Sequence, residues 1–236
     1  MEKIILIETS TALCSVALAE DGVITSYRES SAPKAHASLT AVFIQEMLQE
    51  RGLTLADCDA VCVSMGPGSY TGLRVGVSTA KGLCFGSGKP LLAVGTLDTL
   101  VAQASDAVPN ETEGSPYRHI IPMVDARRME VYTAVFSSDE GSYAQVTETA
   151  PAIIDETSFA EYLEQGPCLF IGDGAGKCAD VIRHPNAHFR QCWPKASAML
   201  SPALAAYRAG DFKDVAYFEP FYLKEFVATV SKKKMW

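Results

Sequence analysis

Glycine recurs through the stretch SMGPGSYTGLRVGVSTAKGLCFGSG, residues 64–88, and restricts what this part of the chain can form. The turn Gly66-Pro67-Gly68-Ser69 lies between an apolar run and a helical pattern, a position where α/β proteins often present backbone N–H groups to anions. Its spacing matches neither GxGxxG nor GxxxxGK[ST]. The turn is therefore either a phosphate-binding loop or a tight turn that starts a helix, with Ser69 or Thr71 as the N-cap.

The helix predicted over about 71–86 places five residues on one side, two of them glycines: Gly72, Gly76, Thr79, Ala80 and Leu83. A glycine inside a helix costs about 1 kcal/mol relative to alanine. Such a cost is commonly offset by the close approach of another backbone. We therefore expect most of this helix to be covered.

A second helix, over about 34–50, shows two apolar stripes. One consists of Ala37, Ala41, Ile44 and Leu48, and the other of Leu39, Phe43 and Met47. One stripe can face a sheet. The other is covered either by the 71–86 helix of the same chain or by another molecule, in which case the two helices form a docking platform.

The chain reads as an α/β protein with two related halves. Residues 1–105 open with strands joined at Asp21-Gly22, a strong hairpin signal, and continue with alternating helices and strands. Residues 106–236 repeat this plan loosely, after a polar connection at 105–119. We predict two subdomains with these bounds, the last helix packing back on the first subdomain.

Composition narrows the function classes. The formal net charge of −8 repels polyphosphate, so any contact with nucleic acid would be local, indirect or made by the basic tail Lys232–Lys234. The seven cysteines form no CxxC pair, which is typical of a reduced compartment. No apolar run approaches membrane-spanning length. We expect a soluble cytoplasmic protein without a membrane segment.

Other candidate chemistry is sparse. The glycines Gly172, Gly174 and Gly176 follow a strand in GDGAGK, and they predict either a nucleotide-binding turn or an ordinary tight turn. Glu8 and Asp125 stand near strand ends, where they could bind magnesium in a kinase-like cleft or simply cap turns. His184 and His188 are separated by Pro185, which argues against a helical metal pair. We predict no metal site.

Three segments together resemble the TsaB (YeaZ) family: ILIETSTALCSVAL, GPGSYTGLRVGVSTAKGL and VDARRMEVY, at residues 5–18, 66–83 and 124–132. The resemblance implies an actin-like ATPase fold of the Hsp70 and sugar-kinase type, with two related subdomains. It also implies a non-catalytic protein that binds and activates TsaD in forming N6-threonylcarbamoyladenosine at position 37 of tRNAs that read ANN codons.

The resemblance further implies a heterodimer with TsaD, an ATP-dependent ternary complex with TsaE, a homodimer when the chain is alone, and only indirect contact with tRNA. ATP or ADP would belong to the complex, with no cofactor assigned to this chain. The catalytic relative binds a metal through paired histidines on a helix, whereas this sequence offers His36 followed by Thr40. The family's partner-binding helices correspond here to His36, Leu39, Phe43, Met47, Gly72, Gly76, Thr79, Ala80 and Leu83.

Two other functions stay open at this point. One is a small-molecule kinase or ATPase of the same fold, using the turn at 172–177 with Glu8 or Asp125 and magnesium. The other is a metallopeptidase, since names such as glycoprotease-like and peptidase M22-like are attached to this family. Nothing in the residues supports proteolysis.

Overall fold

The structure, a computed structural model, describes residues 2–106, 117–139 and 142–224. Most of the predicted connection at 105–119 and the basic tail Lys232–Lys234 lie outside these ranges. No helix within them is both long and apolar enough to cross a lipid bilayer.

The first half forms a five-stranded sheet in the order β3-β2-β1-β4-β5. β1 and β2 are antiparallel, as are β2 and β3, whereas β4 runs parallel to both β1 and β5. The predicted hairpin is present, with Asp21 and Gly22 at φ 50° and 79° between β2 and β3. The strands are β1 (Lys3–Glu8), β2 (Cys14–Glu20), β3 (Val23–Ser30), β4 (Ala60–Gly66) and β5 (Leu91–Gly95).

The second half repeats this pattern in the order β10-β7-β6-β11-β12. Its first two pairings are again antiparallel and its last two parallel. A hairpin of β8 and β9 is added beside β6. The strands are β6 (His119–Asp125), β7 (Glu130–Thr133), β8 (Phe136–Asp139), β9 (Ser142–Gln145), β10 (Ala150–Ile153), β11 (Cys168–Gly172) and β12 (Ala187–Gln191). The shared order confirms two related α/β units.

The helices predicted over 34–50 and 71–86 match the structure closely, whereas the second-half helices at Ala160–Leu163 and Ala175–Cys178 are single turns. Before Ala160–Leu163, the Asp155 side chain accepts hydrogen bonds from Thr157 and Ser158, which stabilise a turn in place of a further helical turn. The helices are α1 (Ala35–Glu50), α2 (Tyr70–Ser87), α3 (Thr96–Asp106), α4 (Ala160–Leu163), α5 (Ala175–Cys178) and α6 (Leu200–Ala209).

Successive side chains of β1 point to opposite faces of the first sheet, and this divides the core of the first half into two layers. Ile5 and Ile7 face a layer formed with α1 and α2, while Ile4 and Leu6 face a layer formed with α6 and the short 3-10 helix Ala196–Met199. α3 packs instead on the second sheet. The halves therefore interlock, because each sends a helix onto the other's sheet. All seven cysteines are free, and six are buried.

Candidate functional site

The glycine turn after β4 starts α2 and is filled by the chain itself. The Ser69 hydroxyl accepts a hydrogen bond from the Gly72 N–H at 3.3 Å, which confirms Ser69 as the N-cap. The Ser69 N–H donates to the Ser10 carbonyl at 2.6 Å. A Cβ on Gly68 would lie 2.3 Å from that same carbonyl oxygen. The β1–β2 turn thus lies where a phosphate loop would need open space.

The close approach expected at the helical glycines is made within the chain. A Cβ on Gly72 would lie 2.1 Å from the Thr9 carbonyl oxygen, and one on Gly76 would lie 2.2 Å from the Thr9 hydroxyl. Both glycines are buried. They therefore let α2 pack directly on the β1–β2 turn. The close approach that these glycines allow is made within the chain and not by the backbone of another molecule.

Two further residues of the predicted platform lie inside the core. Met47 and Ala80 are 1% and 0% exposed, in the layer where α1 and α2 pack together on the sheet. On α1 the core contacts come from Ile44, Met47 and Leu48, whereas Ala41 is exposed. The two apolar stripes thus overlap in one buried face, covered by the sheet and by α2.

The remaining residues of that set border solvent on the outer side of the two helices. His36, Leu39, Phe43, Thr79 and Leu83 are each half-buried. Beside them, a Cβ built on Gly82 or Gly86 would meet no atom of the described residues within 4 Å, so no described side chain covers the helix there. We call this surface, formed by the half-buried residues and these two glycines, the α1–α2 face.

A groove of about 650 Å³ continues the α1–α2 face along α2. Phe85 lines it and is 86% exposed, the largest exposure among the large apolar side chains described. The groove's other wall is the segment Asp214–Ala216. Lys81 fixes this wall, since its ammonium donates to the carbonyls of Ala216 and Phe218, each at 3.0 Å.

His36 and Thr40 are engaged in ways that leave no metal pair. The His36 Nε2 atom lies 2.9 Å from the Thr11 carbonyl oxygen, and the Thr40 hydroxyl donates to the His36 carbonyl at 2.6 Å. A threonine in place of a second imidazole also removes the nitrogen that zinc or iron prefers. Among the described residues, no group of three or more His, Cys, Asp or Glu side chains could hold a metal ion.

The sequence suggests Glu8 and Asp125 as the carboxylates of a kinase-like cleft, and the structure gives them different environments. Glu8 is fully buried and accepts a hydrogen bond from the Ser10 N–H at 2.6 Å, while its other oxygen accepts no hydrogen bond from the residues that the structure describes. Burial raises the pKa of the Glu8 carboxyl to about 7. Asp125 is exposed and forms an ion pair with Lys177. A carboxyl with a raised pKa and one held by a lysine make a poor pair of magnesium ligands.

The second glycine turn is likewise packed by its own surroundings. The Gly174 N–H donates to the Met123 carbonyl at 2.9 Å, and the Gly176 N–H donates to the Gln191 side chain at 2.6 Å. A Cβ on Gly172 would lie 2.2 Å from the Met123 carbonyl oxygen. These contacts occupy N–H groups that a phosphate would use, so nucleotide binding by Gly172, Gly174 and Gly176 stays a prediction without geometric support.

Curated relatives resemble the chain along nearly its whole length. "tRNA threonylcarbamoyladenosine biosynthesis protein TsaB" of Escherichia coli K12 is 31% identical over 231 residues, which cover 96% of each chain. The chain belongs to the TsaB family. The protein of the same name from Haemophilus influenzae is 29% identical, covering 94% of this chain and 93% of that one. A model described as "TsaD: tRNA N6-adenosine threonylcarbamoyltransferase" matches residues 24–170.

Solved structures agree with the TsaB assignment. YeaZ from Pseudomonas aeruginosa superposes with a TM-score of 0.80 at 26% identity, covering 94% of this chain and all of that one. A second Pseudomonas aeruginosa chain, described as similar to peptidase YEAZ, gives a TM-score of 0.82. The TsaB-family chain therefore has the two-subdomain, actin-like α/β fold that its resemblance implied.

Sequence reasoning missed the exposed part of α2, namely Gly82, Phe85 and Gly86. The signal was available, because Gly82 and Gly86 repeat the four-residue glycine spacing of Gly72 and Gly76. That spacing indicates a helix side with little bulk. It does not indicate which of two such sides faces the core of this TsaB-family chain.

Proposed function

We propose that this chain is a non-catalytic subunit that binds and activates TsaD in forming N6-threonylcarbamoyladenosine at position 37 of tRNAs that read ANN codons. It docks on TsaD through the α1–α2 face. Support comes from the named relatives in tRNA threonylcarbamoyladenosine biosynthesis and from the match to the TsaD model.

The observation that carries the docking surface is the open apolar side of α2. Phe85 is 86% exposed beside Gly82 and Gly86, at which a Cβ would meet no atom within 4 Å in the part of the chain that the structure describes. Exposed apolar surface of this kind is typical of protein interfaces, where aromatic anchors supply much of the binding energy. The two glycines let a partner helix approach closely. His36, Leu39, Phe43, Thr79 and Leu83 contact the partner, while Met47, Gly72, Gly76 and Ala80 support the surface from beneath.

Two features of the side chains and backbone support the proposed non-catalytic role. The position of a second metal-binding histidine is Thr40, whose hydroxyl is bonded to its own helix. The N–H groups of the second glycine turn are already bonded within the chain. The chain therefore contributes a surface, and TsaD contributes the chemistry.

The proposal extends to the wider assembly. TsaE joins the TsaD complex in an ATP-dependent step, so ATP or ADP belongs to the assembly. Without TsaD, the α1–α2 face pairs with a second copy of itself. Because one face serves both pairings, the homodimer has to dissociate before TsaD binds.

Transfer of the threonylcarbamoyl group to unmodified tRNA tests the activating role. The cognate TsaD, TsaE and synthase are incubated with threonine, bicarbonate and ATP, with and without this chain. Modified adenosine should form only when the chain is present. Equal product without it would refute activation.

A matched pair of substitutions tests the docking surface. Gly82→Leu adds bulk where the helix is open, so the monomer should fold normally while the TsaD complex is lost. Ala209→Leu adds bulk at an exposed position of α6, on the opposite side of the first sheet, and should leave the complex intact. Gel filtration and circular dichroism report both properties. A normal TsaD complex with Gly82→Leu would exclude this face.

A further inference from the structure

Two arginines in the hairpin between β6 and β7 have an unfavourable backbone conformation. Arg127 and Arg128 have φ angles of 71° and 51°, in the left-handed region that residues other than glycine rarely adopt. Both side chains are exposed, and neither makes a hydrogen bond or ion pair among the described residues. Backbone strain of this kind concentrates at functional positions.

The neighbouring carboxylates compensate only part of the positive charge around these arginines. Asp125, before the turn, forms an ion pair with Lys177. Glu130, after the turn, forms one with Lys224. Each acid of the hairpin is thus matched by a lysine from elsewhere in the chain, so that the two arginines, two acids and two lysines sum to +2. The Asp173 carboxylate, which accepts a hydrogen bond from the Asp125 N–H, reduces this sum to +1, on a chain whose overall charge is −8.

Basic and aromatic side chains continue from the hairpin to the start of α2. Lys224 lies 5.7 Å above the ring of Tyr132. Two residues earlier, the ring of Tyr222 lies 4.9 Å from that of Tyr70, over which the Arg74 guanidinium sits at 5.2 Å. We call this set of six residues the basic strip: Tyr70, Arg74, Arg127, Arg128, Tyr222 and Lys224.

A surface that carries both cations and tyrosine rings is better suited to binding nucleic acid than to binding an acidic protein surface. Arginine guanidinium groups bind phosphate oxygens with two hydrogen bonds, and aromatic rings stack on bases. We propose that the basic strip binds the phosphodiester backbone of the tRNA substrate, so that this chain contacts the tRNA directly. The identity of the RNA rests on the proposed function. The charge complementarity between the strip and a phosphodiester backbone does not depend on it.

Anisotropy of labelled, unmodified tRNA measures the contact in the complex of the full chain with TsaD. The variant Arg127→Gln/Arg128→Gln should weaken binding at least about tenfold at 50 mM salt, because two phosphate contacts are lost. The slope of log K against log salt should become less negative by about 1 to 2. The control Arg118→Gln/Arg183→Gln removes the same charge from two exposed arginines near the opposite ends of β6 and β11. It should change the affinity less than about twofold.

Two further variants separate a phosphate contact from a structural role. Arg127→Lys/Arg128→Lys retains the charge and should restore the salt slope. Arg127→Gly/Arg128→Gly removes the side chains where glycine fits the backbone, so it should keep or raise the midpoint of thermal unfolding and still lose tRNA affinity. A lowered midpoint with unchanged affinity would overturn the proposal, since the arginines would then serve the fold.

Other outcomes also decide the matter. If the glutamine variant weakens TsaD binding but leaves the tRNA affinity of the assembled complex unchanged, the strip is a protein contact and the proposal is wrong. If the chain does not bind TsaD at all, the proposed function fails. The same titration on the isolated chain then tests the strip, and equal affinity of wild type and variant would overturn it.

Discussion

Gly72 and Thr9 are in direct backbone contact, and this contact joins the start of α2 to the turn between β1 and β2. A Cβ on Gly72 would lie 2.1 Å from the Thr9 carbonyl oxygen. Since that oxygen belongs to the backbone, it cannot rotate away as a side chain would. The helix can therefore occupy its position on the sheet only with glycine at residue 72.

The first prediction compares two glycines of the same helix. Gly72→Ala should lower the free energy of unfolding by about 1–3 kcal/mol or more, because the methyl group overpacks a rigid contact. Gly82→Ala should raise it by up to about 1 kcal/mol, because alanine favours helix and the site is open. Urea denaturation of the two variants gives both values. Equal effects of the same sign would show that the contact with Thr9 is unimportant.

The second prediction concerns Glu8. Its pKa is about 7 in the folded chain, against an ordinary value of 4.5, because burial disfavours the charged form. Below pH 4.5 the carboxyl is neutral in both the folded and the unfolded chain, and its burial costs no charge desolvation. The free energy of unfolding then falls as the pH rises through 7, because the unfolded chain gives up this proton more readily than the folded chain does. Glu8→Gln, which keeps an acceptor for the Ser10 N–H, should be more stable than wild type at pH 8.5 by a figure on the order of 3 kcal/mol.

Urea denaturation at several pH values checks this prediction. The difference between Glu8→Gln and wild type should shrink towards pH 5, since the wild-type carboxyl is then neutral when folded. A difference independent of pH would mean that Glu8 does not titrate in this range.

The third prediction tests Phe85 as an anchor of the docking surface. Phe85→Ala should change the stability of the monomer by less than about 0.5 kcal/mol, because the ring is mostly exposed. It should weaken binding to TsaD by about 2 kcal/mol, roughly thirtyfold. Ile153→Ala, at an apolar side chain that is 77% exposed in the second half, is the matched control. Calorimetric titration would refute the anchor if both variants bound TsaD alike.

The fourth prediction concerns Lys81, which holds the wall of the groove beside Phe85. Lys81→Met removes two charge-assisted hydrogen bonds to the carbonyls of Ala216 and Phe218. Amide hydrogen exchange at 214–222 should then accelerate at least about tenfold, including at Phe221, whose N–H donates to the Met65 carbonyl.

Lys89→Met serves as the control for Lys81→Met. In the described part of the chain, the Lys89 ammonium donates no hydrogen bond. Exchange at 214–222 should therefore match the wild type. Acceleration in both variants would indicate a general loss of stability instead of a local release.

The first half was predictable because its local signals agree. β1 is a continuous apolar run, Asp21-Gly22 gives the hairpin, and Ser69 caps α2. In the second half, α5 has only Ala175–Cys178 before the chain turns again. Its length depends on tertiary contacts, such as that of Gly176 with Gln191, which no local pattern shows.

The candidate site was predictable as a pair of helices but not as a set of exposed residues. Glycine spacing at Gly72 and Gly76 indicates a covered helix side, but it does not reveal that Thr9 covers it. The apolar stripe through Met47 likewise does not distinguish a core from an interface. Which side stays open is decided by the position of α2 over the sheet, so Gly82 and Phe85 emerge only from the three-dimensional packing.

The interlocked halves have a consequence for synthesis on the ribosome. One face of the first sheet is covered by Met199 and Ala203, which are translated more than a hundred residues after β5. The wall beside Phe85 is made later still, by Asp214–Ala216. When β5 has just been synthesised, the first sheet of the nascent chain is thus covered on only one face, and the docking surface for a partner is completed only after Ala216 has been added.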